Sequence, residues 1–331
     1  MTVLDHDTFL TCMAEASLAP TVHNTQPARW GLSPDGTITL HCAPGAALPV
    51  ADPSNHDLIL SCGTALEGMV IALAGEGHAA QVTPLGTQIT EPLARITLGG
   101  YAEPDPLASA VSARLTYRRP FAPADPGQFQ ALTTWAATDP DIHLITTRSR
   151  ITEIAAQNDA LSHRLLQNPA FRKELLSWTR LSKCHPDWSR NGLNADALGL
   201  PRWQAAFMGA FFKVFSPLDR LGLATGFTAE KDDTETAAAI AFLAVPKDLP
   251  ALDAGRRYYR ATLKLAASGF ASWPMSVLVD DPDSEAAFLT EFRLTDHRLI
   301  AALRLGPIPK SPPERARLPI TETAITPDLH P

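Results

Sequence analysis

A chain of 331 residues, 45% hydrophobic and 19% charged, can bury a substantial core and is not disordered in bulk. Its formal charge of −7 excludes nucleic acid as the main partner, because a phosphate backbone demands clustered lysine and arginine. Residues 1–7 lack the basic and apolar blocks of a secretory signal, and no uninterrupted apolar run reaches membrane-spanning length, residues 207–215 being the greasiest.

In chain order, residues 4–18 carry helical spacing and stop at the turn Ala19, Pro20. Residues 30–32 and 37–41 predict two strands joined across Ser33, Pro34, Asp35 and Gly36. From 57 to 75, Leu58, Cys62, Ala65, Met69 and Leu73 recur at helical spacing, with Gly75 and Gly77 as the stop. Short extended runs follow between 83 and 98. The polar stretch 101–106, with Pro104 and Pro106, predicts a seam between halves 1–103 and 104–331.

The second half resembles the first in outline. Residues 253–268 predict a helix with Tyr259, Leu263 and Ala266 on one side, closed by Gly269. Each such helix leads into an extended segment ending in proline, at Pro84 and at Pro274. Duplication and chance likeness of two amphipathic helices both explain this. Continuous apolar runs at 240–245 and 301–305 predict central strands covered on both faces. The stretch 178–233, rich in Trp and Phe, reads either as a lid insertion over a planar cofactor or as a helical pair packed on the core.

Three separated clusters carry chemistry. Pro20, Thr21, Asn24 and Gln26 form a turn whose amides suit the polar edge of a heteroaromatic ring, or simply stabilise the turn itself. Arg114, Thr116 and Arg118 can converge on one anion if that segment is the extended lead-in to a helix, and Arg315 and Arg317 repeat the spacing. Two solvated basic loops are the alternative. His23 reads as a structural or exposed histidine rather than a proton donor. The four cysteines, Cys12, Cys42, Cys62 and Cys184, form no C-x-x-C pair and read as reduced thiols of a cytoplasmic protein, with no metal site. Dinucleotide, P-loop, serine-hydrolase and zinc-protease motifs are missing; Gly63 and Gly68 bracket a P-loop-like start that lacks the lysine and sits within a helix.

Together these residues resemble the nitroreductase family of FMN flavoproteins, and within it the Acg-type branch, where one chain carries two tandem nitroreductase-like halves. Arg114, Thr116 and Arg118 match the family's Arg-x-Ser-x-Arg/Lys motif, with Thr for Ser. Arg315 and Arg317 match its C-terminal basic pair, and Pro20, Thr21, Asn24 and Gln26 its Asn-x-Gln-Pro turn. Pro274, Met275 and Ser276 fall where the family's backbone approaches flavin N5.

The resemblance implies an α+β, three-layer nitroreductase-like fold arranged as a pseudo-dimer of two halves. One FMN per chain would be held by those twelve residues, with Arg118 near the ring's O2. It implies electron transfer from NAD(P)H to nitroaromatic, quinone or other conjugated acceptors by ping-pong hydride transfer, with no catalytic side chain. A flavin-sequestering protein and a flavin-dependent dehydrogenase of a natural-product intermediate are the alternatives. The partner would be a small-molecule acceptor, with neither nucleic acid nor membrane, for a monomeric pseudo-dimer or weak homodimer. Ala28 stands where the family has Trp, Tyr117 where the branch has Asn, and His56 where it has Arg.

Overall fold

Alternation of side chains builds the first sheet. In β2 (Ile38–Cys42), residues Ile38, Leu40 and Cys42 are buried and the two between them are not, and β1 (Ala28–Leu32) pairs with it antiparallel. The hairpin closes on Gly36, whose φ of 82° is the left-handed conformation that glycine adopts without a steric cost. The computed structural model describes residues 4–222, 224 and 229–325; part of the predicted signal-free start, part of the 178–233 stretch and the last six residues lie outside them.

β3 (His78–Pro84) and β4 (Ala94–Tyr101) complete an antiparallel sheet of order β1-β2-β4-β3. Next come β5 (Ile142–Ile145), the two-residue strands β6 (Thr179–Arg180) and β7 (Leu193–Asn194), β8 (Ala239–Pro246), β9 (Phe270–Pro274) and β10 (His297–Pro307). β6 and β7 form a small parallel ribbon, while the other four form a second antiparallel sheet of order β5-β8-β10-β9. The apolar runs at 240–245 and 301–305 thus lie in the two central strands, as expected. In β8, Ile240, Phe242 and Ala244 enter one apolar cluster and Ala239, Ala241 and Leu243 another, so both faces are covered.

The two sheets share one wiring. In each, a long helix joins the second strand to the third, and the last strand inserts between them: helix His56–Gly75 in the first sheet, helix Ala251–Ala267 in the second. Both helices stop at a glycine with φ near 80°, Gly77 and Gly269. They pack directly on each other. A Cβ at Gly63 would lie 2.0 Å from the Leu252 carbonyl oxygen, and one at Gly255 would lie 2.0 Å from that of Leu60. The contact is reciprocal, each glycine meeting the residue three before its counterpart. Gly63 and Gly255 also precede their stop glycines by the same distance in sequence (63 to 77 and 255 to 269). The mixed helices and antiparallel sheets make the fold α+β.

Helix His56–Gly75 corrects one sequence expectation. By length and composition it is apolar enough to cross a membrane, more so than residues 207–215, yet it is a mostly buried core helix. Its Glu67, 3% exposed, is held by Arg256 at 2.7 Å and Arg260 at 2.8 Å, and Arg260 also reaches Asp105. The helix starts without a side-chain cap from Asn55, which sits at φ 57°; instead the Asp52 carboxylate accepts from the N–H groups of His56 and Leu58.

The aromatic stretch is packed only in part. Phe211 and Phe215 are buried against Leu166 and Phe171, whereas Trp203 is exposed. Cys12, Cys42 and Cys62 are buried free thiols, and Cys184 is exposed. No cluster of metal ligands occurs among the described residues.

Candidate functional site

Helix His6–Ala16 ends in the turn that the sequence singled out. Three non-glycine residues there have positive φ, His23 at 45°, Asn24 at 56° and Gln26 at 51°, a concentration of backbone strain that only surrounding bonds can hold. Those bonds are present. Thr21 Oγ1 accepts from the Gln26 N–H, the Val22 N–H donates to Ser61 Oγ, and Thr64 Oγ1 donates to the Pro20 carbonyl.

The amides of Asn24 and Gln26 work inside the protein. Asn24 Nδ2 donates to the carbonyls of Gly192 and Ala316, while its Oδ1 accepts from Arg317. Gln26 is buried; its Nε2 donates to the Arg190 carbonyl and its Oε1 accepts from the Leu318 N–H. The turn-stabilising alternative therefore describes Gln26, which lines neither the cleft nor the chamber below.

Behind the turn, four guanidinium groups meet. Arg114, Arg118, Arg315 and Arg317 line a cleft of about 90 Å³ together with Pro20, Thr21, Asn24 and Thr116. Arg315 donates to the carbonyls of Ser112 and Arg114, and Arg317 to those of Ser17 and Leu18. Arg114, only 5% exposed, donates to the Leu18 carbonyl, and its buried Nε has no partner. Among the described residues none of the four forms a salt bridge. Burial, reinforced by Arg114 and Arg315, pushes the Arg317 pKa down to about 9; burial likewise brings Arg118 to about 10 against the pull of Glu230. Four cations without a salt bridge outweigh Glu314, the exposed carboxylate on the same cleft wall, and make a positive hole suited to a small anion.

The backbone of 114–118 differs from the expectation. It follows the short helix Ala108–Val111 instead of leading into one, and Thr116 makes a parallel bridge to Ser272 of β9. The arginines nevertheless converge, because the chain runs past the turn rather than away from it. Part of the 178–233 stretch forms the facing wall: Gly192, Leu193, Asn194 and Ala197 line the cleft, and the Arg317 N–H donates to the Ser189 carbonyl.

The cleft adjoins a larger chamber of about 460 Å³ and shares Pro20, Thr21, Thr116, Arg118 and Leu193 with it. Pro274 and Ser276 line this chamber as expected. Met275 does not: it is 3% exposed, packs against Phe242 and Leu278, and spends its N–H on the Ala302 carbonyl. Chamber residues that the sequence did not reveal include Asp57, Tyr258, Asp280, Glu285 and Arg298, which belong to no motif. Only His56, noted as a departure from the family pattern, gave a signal; its ring lies 3.0 Å from Arg298 Nη1.

His23 also lines the chamber, and burial beside Arg118 pushes its pKa down to about 4. The unfolded chain takes up this proton near pH 6.5 and the folded chain only near 4, so the unfolded state binds more protons between them. Stability is expected to be flat above pH 6.5 from this group and to fall by up to about 3 kcal/mol as pH drops to 4. Urea titrations at pH 7 and pH 4.5 would show it, and His23→Ala should remove that part of the slope.

A two-sheet α+β protein with an arginine-lined cleft opening on a chamber is the class these observations define. No family model matches the chain. Among curated proteins it is 29% identical over 190 residues to acg of Mycobacterium tuberculosis, covering 54% of this chain and 56% of that protein. It is 44% identical over 78 residues to Rv3131 of the same organism, covering 24% of this chain and 22% of that one. Both carry the provisional name NAD(P)H nitroreductase. The matches thus span from about a fifth to about half of those relatives' length.

Among solved structures, the FMN-dependent nitroreductase NfnB from Mycobacterium smegmatis in complex with NADPH is 19% identical, covering 62% of this chain and 96% of that one, with a TM-score of 0.33. A BluB-like flavoprotein from Clostridium difficile is 13% identical, covering 67% and 99%, with a TM-score of 0.36. At such scores the fold description rests on strand order alone. The resemblance read from the motifs is borne out by the sequence relatives: the chain is related to proteins of the nitroreductase family.

Proposed function

We propose that the cleft and chamber hold one FMN, phosphate towards the arginines, and that the chain is an oxidoreductase carrying electrons from NAD(P)H to a small conjugated acceptor such as a quinone or nitroaromatic. The observation that carries this reading is the meeting of Arg114, Arg118, Arg315 and Arg317, none of them in a salt bridge among the described residues and one with an orphaned buried nitrogen, in a cleft whose own carboxylate is the exposed Glu314. A phosphate supplies the missing acceptors and charge. The cleft and chamber together fall in the range of small-cofactor sites, roughly 300–1,000 Å³.

Bound FMN would supply two-electron chemistry, so no side-chain nucleophile is required. The protein's part is placement. Arg114, Arg315 and Arg317 anchor the phosphate; Pro20, Thr21 and Thr116 border the passage between cleft and chamber; Pro274 and Ser276 flank the chamber where a ring would lie. Asn24 and Gln26 act at one remove, by pinning the turn to Arg317 and Leu318. Met275 fixes that stretch through the core.

We also read residues 1–103 and 104–331 as two nitroreductase-like halves, supported by the shared strand order and the reciprocal glycine contact. Both contribute to the one cleft, the turn from the first and the arginines from the second. The buried free thiols fit a cytoplasmic setting.

The purified chain is expected to be yellow with FMN and to bleach on anaerobic addition of NADPH. A colourless chain that takes up no added FMN would end the proposal. A storage role is the second reading, favoured by the wall from residues 189–197, which is hydrogen-bonded to the turn through Asn24, Gln26 and Arg317. FMN retained through dialysis while NADPH leaves its colour unchanged would select it.

A further inference from the structure

Two helices in the aromatic stretch are apolar on both sides. Helix Arg202–Lys213 and helix Phe215–Arg220 bury Phe211 and Phe215 against Leu166 and Phe171, as a surface helix should bury one face. The solvent side should then be polar, yet Trp203, Val214 and Leu221 are 69%, 47% and 72% exposed. The exposed positions between them, Ala206, Phe207, Ala210 and Pro217, are apolar too and recur every three or four residues, with the Phe207 ring stacked on Phe211. Half of the large apolar side chains exposed among the described residues fall within 203–221, so they form a patch rather than a scatter.

The charges around this patch have one sign. Arg202 and Arg220 stand exposed at its two ends and form no salt bridge among the described residues. Asp219 is the one carboxylate in the two helices, and it is already engaged: Oδ1 lies 2.8 Å from His163 Nε2, and Oδ2 accepts from Gln167. A chain of net charge −7 thus carries here an apolar face framed by cations.

We infer that this face seats the chain on an anionic lipid surface, with Trp203, Val214 and Leu221 among the headgroups and Arg202 and Arg220 on lipid phosphates. An amphipathic tryptophan beside arginines whose stems cover apolar surface is the composition that settles at such an interface. A second copy of the chain does not answer these charges, because a two-fold contact through the face would set cation against cation with no carboxylate to receive them. The sequence expectation of no membrane partner rested on spanning length, which a helix lying in the interface does not need. The inference is independent of the flavin reading, since lipid binding is measured with or without FMN.

Vesicle sedimentation at low salt tests this with the full chain. Phosphatidylcholine vesicles containing about 30% phosphatidylglycerol should carry the chain down, and phosphatidylcholine alone should bind it about 30-fold less tightly. Arg202→Gln combined with Arg220→Gln should close that gap, and Trp203→Ser combined with Leu221→Ser should weaken binding to both vesicles by at least about 30-fold. All four positions face solvent, so folding is not at stake. Brominated acyl chains should quench a part of the tryptophan emission that is missing in Trp203→Phe, a variant that keeps most of the binding. A chain left in the supernatant with both vesicles overturns the inference, as does quenching unchanged in Trp203→Phe. Concentration-dependent dimerisation abolished by Trp203→Ser with Leu221→Ser would assign the face to a second copy and overturn it too.

Discussion

Replacing Arg114 by methionine is expected to move two measurements in opposite directions. FMN affinity should fall about 30-fold, or ~2 kcal/mol, the loss of a charge-assisted phosphate contact. The FMN-free chain should gain roughly 1 kcal/mol, because a buried cation without a counter-ion no longer has to be kept beside Arg315 and Arg317. The Leu18 carbonyl keeps a partner in Arg317 Nη2, so no new orphan offsets the gain. Calorimetric titration with FMN and urea unfolding of the FMN-free chain measure the two effects. Arg317→Ala differs in the second: its guanidinium also ties down Ser17, Leu18 and Asn24, so both affinity and stability should drop. Wild-type affinity in both variants would place the phosphate elsewhere.

The largest loss of stability is expected from Gly63→Ala or Gly255→Ala. The added methyl would sit 2.0 Å from a backbone carbonyl oxygen of the opposite helix, and backbone cannot swing aside as a side chain can. The helices would have to separate by an ångström or more, stripping contact from Leu252, Tyr259 and Leu263, which share the core of the first sheet. A cost of about 4 kcal/mol is anticipated, at the upper end for a single methyl group. Gly75→Ala, whose Cβ would meet nothing within 4 Å, is the control and should be neutral or slightly stabilising through helix propensity. Equal midpoints for Gly63→Ala and Gly75→Ala would show that the helices do not meet as described.

Much of this was legible in the sequence because local chemistry announces itself. Apolar periodicity located both long helices, Gly77 and Gly269 marked their ends, and the continuous runs at 240–245 and 301–305 identified the two central strands. The arginine spacing drew attention to the cleft. What escaped is non-local. Gln26 looked like a ring-edge donor, but its partners, Arg190 and Leu318, arrive from distant stretches that no pattern connects to it. Met275 lies between Pro274 and Ser276, which line the chamber, yet its side chain packs into the core and its N–H is bonded to the Ala302 carbonyl. Asp57 and Asp280 lie more than two hundred residues apart and line one chamber only because the fold brings the start of helix His56–Gly75 and the segment after β9 to it. Helix His56–Gly75 was recognised as a helix but not as the greasiest one, since Glu67 and scattered small residues interrupt its apolar run without interrupting its burial.

The reciprocal glycine crossing has a thermodynamic corollary. When two separate polypeptides must meet to build a binding cleft, mass action empties it as the solution is diluted. Here the turn at residues 20–26 and the arginines at 114–118 and 315–317 travel on one backbone, so their effective concentration is set by the intervening loops. At a fixed free FMN concentration, cofactor occupancy should then stay constant as the protein is diluted from micromolar to nanomolar.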